Sequence, residues 1–96
     1  MRTVTIARHR VADYDAWKRV YDGAADMQRA GGVREHAVLR DRDDPSLITV
    51  VHTFDDEAAA DAFFGSEDLR AAMADAGVDL DSLRLEVAAV VVAGRL

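Results

Sequence analysis

Three histidines and one aromatic cluster are the residues of this chain best suited to chemistry. His9, His36 and His52 are the only side chains that titrate near neutral pH. Tyr14, Trp17 and Tyr21 comprise both tyrosines and the only tryptophan, and they fall at three- and four-residue steps. His9 stands just before them. A neutral imidazole there can remove a proton from a phenol or an activated methylene as general base. The same imidazole can instead be structural, bonded to backbone at a strand end. The aromatic stripe has the same two readings, because its spacing also describes a buried helix face. Buried Tyr and Trp need partners for O–H and N–H, and a ligand can supply them.

Further along the chain, Phe63, Phe64 and Met73 can form the wall opposite the stripe, and Met adapts to irregular shapes. Arg8, Arg10 and Arg40 lie on strands, where arginine is usually solvated or ion-paired; Arg40 is the one assigned to orient a carboxylate or phenolate. The site read from the sequence is therefore His9 as catalytic residue, with Tyr14, Trp17, Tyr21, Phe63, Met73 and Arg40 holding substrate. No metal or other cofactor is assigned. A lesser alternative is zinc held by His36 and His52 with Glu35 or Glu86, a sparse ligand set for such a site. The acidic run Asp41 to Asp44 reads as a solvated turn. There is no Gly-rich phosphate loop, dinucleotide fingerprint or nucleophile elbow. Ser66 and Ser82 lack an evident base.

The elements that must position these residues are legible from pattern. Thr3 to Val11 alternates as a strand, with Val4 and Ile6 on one parity and Thr5, Ala7 and His9 on the other. Asp13 can cap the helix that follows, and Asp15 and Arg19 form a favourable i,i+4 pair. The stripe Tyr14, Trp17, Val20, Tyr21, Ala24 and Met27 extends that helix until Gly31-Gly32 stops it. Val33 to Arg40 and Leu47 to Phe54 form a hairpin about a turn containing Pro45. Asp55 or Asp56 caps the next helix, Gly65-Ser66 interrupts it, and Gly77 ends it. Asp79 to Ser82 is expected to be a loop and Leu83 to Ala93 the last strand.

This order, strand-helix-strand-strand-helix-strand, predicts an α+β ferredoxin-like fold. Four antiparallel strands would carry both helices on one face, in one domain spanning residues 1–96. In that topology His9 and His52 lie at opposite ends of the sheet. His36 and His52 are neighbours across the hairpin, and register decides whether they share a face. Val87 to Ala93 is apolar on both parities, as are Ile48, Val50 and Val51. Helices can cover only one face, so the pattern predicts a homodimer packed sheet to sheet.

Composition narrows the partners. The net charge of −6 argues against nucleic acid and against anionic membrane surfaces. The absence of cysteine excludes disulfides, thiolate nucleophiles and Cys-based metal sites. No signal-peptide core or membrane-spanning run is present, so a cytoplasmic location is expected. Ala, Arg and Asp usage suggests a bacterial source.

The stretches from His9 to Asp22, Arg40 to Pro45 and Leu69 to Val78 resemble the dimeric α+β barrel proteins, which include the antibiotic biosynthesis monooxygenase-like and cyclase-like small bacterial proteins. The resemblance spans nearly the whole chain. It implies a homodimer whose sheets form a barrel, with a ligand cleft between sheet and helices in each subunit. It implies a cofactor-independent monooxygenase or polyketide cyclase acting on a hydrophobic, aromatic or polyketide-like molecule. The alternative is a homodimer that binds a small molecule, or serves structurally, without catalysis. No haem-ligand pattern carries over.

Overall fold

The computed structural model describes residues 1–96. The strand β1 (Thr3–Val11) buries alternate residues, Thr3, Thr5, Ala7, His9 and Val11. Asp13 then caps α1 (Tyr14–Gly23), its carboxylate accepting a hydrogen bond from Asp15 N at 3.0 Å. The expected single helix is broken. α1 ends at Gly23, Ala24 leaves helical geometry, and α2 (Ala25–Ala30) restarts at once. Glycine inside a helix is a weak point, costing about 1 kcal/mol against Ala. The stripe survives the break, because Ala24 and Met27 still face the sheet side. The expected Asp15–Arg19 pair does not form; Lys18 instead binds Asp22 at 2.7 Å, one turn later on the exposed face. Gly32, at φ 95°, closes the helical segment where a side chain would be strained.

β2 (Glu35–Arg40) begins two residues later than its pattern suggests, because Val33 packs into the core beside Phe54, Ala60 and Phe63. The turn is built by its own acidic side chains. Asp41 accepts from the backbone N–H groups of Asp43 and Asp44, and Asp44 accepts from Ser46 N and binds Arg10. β3 (Leu47–Phe54) follows with strict alternation. Asp56, rather than Asp55, caps α3 (Glu57–Phe64); Asp55 is engaged with Arg34. Ser66 caps α4 (Glu67–Asp75), and Gly77, at φ 73°, ends it.

β4 (Val78–Ala89) departs most from expectation. It starts earlier than the predicted Leu83 and stops before Ala93. Its pairing with β1 nevertheless jumps from Arg10↔Asp79 to Arg8↔Arg84. One residue of β1, His9, thus faces the four residues Leu80 to Leu83. The expected loop at Asp79 to Ser82 is instead part of the strand, which carries a bulge there. Ser82 Oγ accepts from Arg10 N and donates to Asp79 O, which stitches the bulge to β1.

The strands form one antiparallel sheet in the order β2-β3-β1-β4, with the helices on one face. The βαββαβ order is the ferredoxin-like arrangement. On the helix side two apolar clusters meet end to end. One contains Val11, Trp17, Ile48, Val50 and Ala76, the other Val33, Phe54, Ala60 and Phe63. The opposite face carries the half-buried Val4, Ile6 and Val51 and the exposed Leu39. No helix is long and apolar enough to cross a membrane.

Candidate active site

A cavity of about 60 Å3 lies between the sheet and the helices. Its floor is Ala7 and His9 from β1 and Val50 and His52 from β3. α1 and α2 supply Trp17, Tyr21 and Gln28, and α3 and α4 supply Phe63 and Met73. Fourteen of its seventeen lining residues are hydrophobic. The polar groups in it are therefore few and isolated, and each interaction they make is strengthened by the low local dielectric.

The expected aromatic stripe is a continuous stack. Trp17 is 3 % exposed and lies at a ring-centroid distance of 5.0 Å from Tyr21 and 6.1 Å from Tyr14, with rings near parallel. Helical spacing places the three rings on one side of α1. Tyr14 lies outside the cavity, at the outer end of the stack. There Arg40 sits 4.1 Å above its ring and donates through Nε to Pro45 O. The arginine is committed to a cation–π contact and the hairpin turn. Trp17, Tyr21, Phe63, Met73 and His9 are brought together in the cavity; Tyr14 and Arg40 are not.

His9 is 3 % exposed, its ring 5.9 Å from that of Trp17, and its Nδ1 has no hydrogen-bond partner. Burial lowers its pKa below the ordinary imidazole value; the backbone of Arg10 and of His9 itself opposes the shift without completing a hydrogen bond to Nδ1. His52 faces the same cavity. It is opposite Thr5 across the β1–β3 pair, whereas His9 is opposite Ile48. Four strand residues, or about 13 Å, separate the two along the sheet.

His36 and His52 are direct cross-strand partners and share the helix side. Tyr21 lies over both. Its Oη is 2.7 Å from His36 Nδ1 and 3.3 Å from His52 Nε2, and its ring is within 23° of parallel to each imidazole. His52 Nδ1 and the neighbouring Thr5 Oγ1 are buried without partners. Burial, and secondarily the charge His36 would carry, push the His52 pKa down to about 4. Burial pushes the Tyr21 phenol up. At neutral pH the cavity thus holds neutral imidazoles and a protonated phenol.

The zinc alternative meets an obstacle in the register. Glu35 pairs with Thr53 and Glu86 with Ile6, so both carboxylates point to the face opposite His36 and His52. No group of three His, Asp or Glu side chains converges in metal-binding geometry. Sequence reasoning did not assign His52 or Gln28 to the cleft. His52 has the same strand parity as Ile48, Val50 and Phe54, which is the signal that could have placed it. Gln28 has no such signal, because its inward position follows from the break at Ala24.

Residues 9–75 match the antibiotic biosynthesis monooxygenase family. No protein of curated function matches the chain significantly. Among solved structures, SnoaB from Streptomyces nogalater, a cofactor-independent oxygenase determined as a point mutant, superposes with a TM-score of 0.77 at 14% identity. The match covers 96% of this chain and 95% of that one. Rv0793 from Mycobacterium tuberculosis gives a TM-score of 0.73 at 19% identity over 99% of this chain and 100% of the other. At these identities the likeness is one of fold.

Proposed function

We propose a function for a chain that belongs to the antibiotic biosynthesis monooxygenase family: oxygenation, without a cofactor, of an electron-rich aromatic or polyketide-like molecule in the cleft between sheet and helices. The observation that carries this reading is a neutral imidazole, His9, with an unengaged Nδ1 in an almost wholly apolar cavity beside Trp17. His9 takes a proton from a phenol or an activated methylene. The apolar walls leave the resulting delocalised anion poorly solvated and exposed to dissolved oxygen. Trp17, Tyr21, Phe63 and Met73 hold the substrate rings and exclude water.

The cavity must widen for a polycyclic substrate, since small-molecule sites commonly enclose roughly 300–1,000 Å3. A second, outer hollow of about 370 Å3 adjoins it and is walled by Met27, Gly31, Ala59 and Ser66. Phe63 and Met27 line both spaces. Rotation of Phe63 joins them into a volume of the required size. The open sheet face, with Val4, Ile6, Val51 and Leu39, is covered by a second copy in this reading, giving a homodimer.

A second reading, binding without turnover, is favoured by the absence of any side chain hydrogen-bonded to His9 Nδ1. Thermal shift and oxygen uptake with a panel of anthrones, phenols and quinones separate the two. Oxygenation predicts that at least one compound stabilises the protein and is consumed, and that His9→Ala lowers turnover far more than binding. Stabilisation without oxygen uptake supports the second reading, and no stabilisation by any compound overturns both. Light scattering at micromolar concentration tests the dimer, which a monomeric mass would refute.

A further inference from the structure

We propose that His52, Tyr21 and His36 form a proton relay between the buried end of the cleft and solvent. This rests on reading the cleft as an oxygenation site, and it assigns the proton traffic at the end opposite His9.

The three groups form a graded series. His52 is buried at 4 % exposure, Tyr21 is half-buried, and His36 is exposed. The phenol oxygen lies between the two imidazoles at hydrogen-bond distance from each. A phenol has one proton, so it can donate to only one imidazole and must accept from the other. The 2.7 Å separation from His36 Nδ1 fits O–H donation, and the 3.3 Å separation from His52 Nε2 fits a longer N–H donation to the phenol oxygen.

The unpaired atom fixes the same polarity. With the Nε2 proton on His52, its Nδ1 is a free acceptor. In the reverse polarity Nδ1 would be a buried N–H without an acceptor. Orphaned buried N–H groups are rarer than under-satisfied acceptors. The resting arrangement is therefore His52 Nε2–H to Tyr21 Oη, and Tyr21 O–H to His36 Nδ1. His36 then holds its own proton on Nε2, on an exposed ring.

Proton movement along this chain leaves no charge behind. A substrate proton binds His52 Nδ1, the Nε2 proton passes to Tyr21 Oη, the phenol proton passes to His36 Nδ1, and His36 releases its Nε2 proton to water. No buried imidazolium persists, which matters where burial so disfavours the charged ring. In the oxygenation of a methylene, R2CH2 + O2 gives R2C=O + H2O. His9 takes one C–H proton, oxygen adds to the carbanion, and His9 returns that proton to the terminal peroxide oxygen. Loss of the second C–H proton to His9 then breaks the O–O bond, the electron pair forming C=O as hydroxide departs, and the two combine as water. The relay carries the proton of a phenol group at the other end of the same substrate, out to water as the anion forms and back by the reverse movement as product is released. His9 has no such chain, since no side chain is hydrogen-bonded to either nitrogen of its ring, whereas His52 Nε2 meets Tyr21. The other groups near the relay are Gln28 on α2 and Asp22 on α1, both of which act on Tyr21. Glu35 and its partner Arg2 lie beyond the opposite face of the sheet.

Nitrogen-15 NMR of imidazole-labelled protein without ligand tests the polarity directly. The expected result at pH 7 is the Nε2–H tautomer for both His52 and His36, with the His36 preference weakened in Tyr21→Phe. A His52 carrying Nδ1–H overturns the relay. Oxygen uptake tests the traffic. Tyr21→Phe and His36→Asn should each lower turnover by at least about tenfold while the thermal shift by the same compound is retained. Added imidazole buffer should restore His36→Asn, whose exit lies at the surface, and not Tyr21→Phe. Full activity of His36→Asn in dilute buffer overturns the relay. If the unaltered protein consumes no oxygen with any compound, the proposed reaction fails, and the tautomer result still stands or falls alone.

Discussion

The two ends of the cleft use the same residue in opposite ways. At one end His9 sits near Trp17 within the Val11, Ile48 and Ala76 packing, its Nδ1 without a partner. At the other, His52 packs edge-on against Phe63 at 5.7 Å and Phe54 at 6.2 Å, and its Nε2 meets a phenol that reaches a surface imidazole. Both rings are buried and neutral. The difference lies in the route available to a proton, so an imidazole's burial alone does not define its role. Connection to solvent through its second nitrogen is what distinguishes the two sites.

Trp17 is the partition between these ends, and Trp17→Ala should have the largest effect. Replacing a buried tryptophan costs about 3–5 kcal/mol. Urea unfolding should show that loss, and the variant should no longer keep the environments of His9 and Tyr21 distinct by NMR.

Acid is the next most powerful probe. His52 titrates near 4 when folded and near 6.5 when unfolded. The unfolded chain therefore takes up protons first as pH falls. The stability from keeping this ring neutral is complete above pH 6.5 and is lost progressively down to pH 4, a decrease on the order of 3 kcal/mol. His9 shifts in the same direction. Urea midpoints at pH 7, 5.5 and 4 should decline accordingly, and His52→Asn should flatten that decline more than His9→Asn. Equal slopes in both variants would erase the distinction between the ends.

A smaller effect is expected from Gly31→Ala. A Cβ there would lie 2.5 Å from Phe63 Cδ1, so the ring that packs on His52 would have to move. Such overpacking costs about 1–3 kcal/mol. Combining it with Phe63→Leu should recover part of the loss, and simple additivity in that cycle would show that the two sites do not communicate. The smallest change, about 1 kcal/mol, is expected for Asp13→Ala, which removes the cap of the helix serving both ends. Asp13→Asn should stay within a few tenths of the parent, since asparagine caps comparably.

Much of this architecture was legible locally. Capping residues identified helix starts at Asp13 and Ser66, alternation marked β1, and Pro45 with its acidic neighbours marked the hairpin and so the start of β3. These signals act over a few residues, where backbone geometry and side-chain chemistry are directly coupled. The resemblance of the His9–Asp22 stretch to a known family pointed to the same fold. The pieces that escaped are those set by partners distant in sequence. Whether His36 and His52 share a face depends on hairpin register. The inward turn of Gln28 depends on Gly23 ending α1 early. Tyr14 and Arg40 looked like cleft residues from their types, yet each satisfies the other outside the cleft. Tyr21 was read as part of a stripe, and its bridging position appears only when β2 and β3 are aligned beneath it.

The bulge opposite His9 has a consequence for how this site can diversify. Pairing between β1 and β4 is regular on both sides of Leu80 to Leu83, at Arg8↔Arg84 and at Arg10↔Asp79. Residues gained or lost within that excursion leave every other pair in place. The length and composition of the segment can therefore vary as an independent module, reshaping the surroundings of His9 while the sheet, the aromatic stack and the far end of the cleft stay as they are.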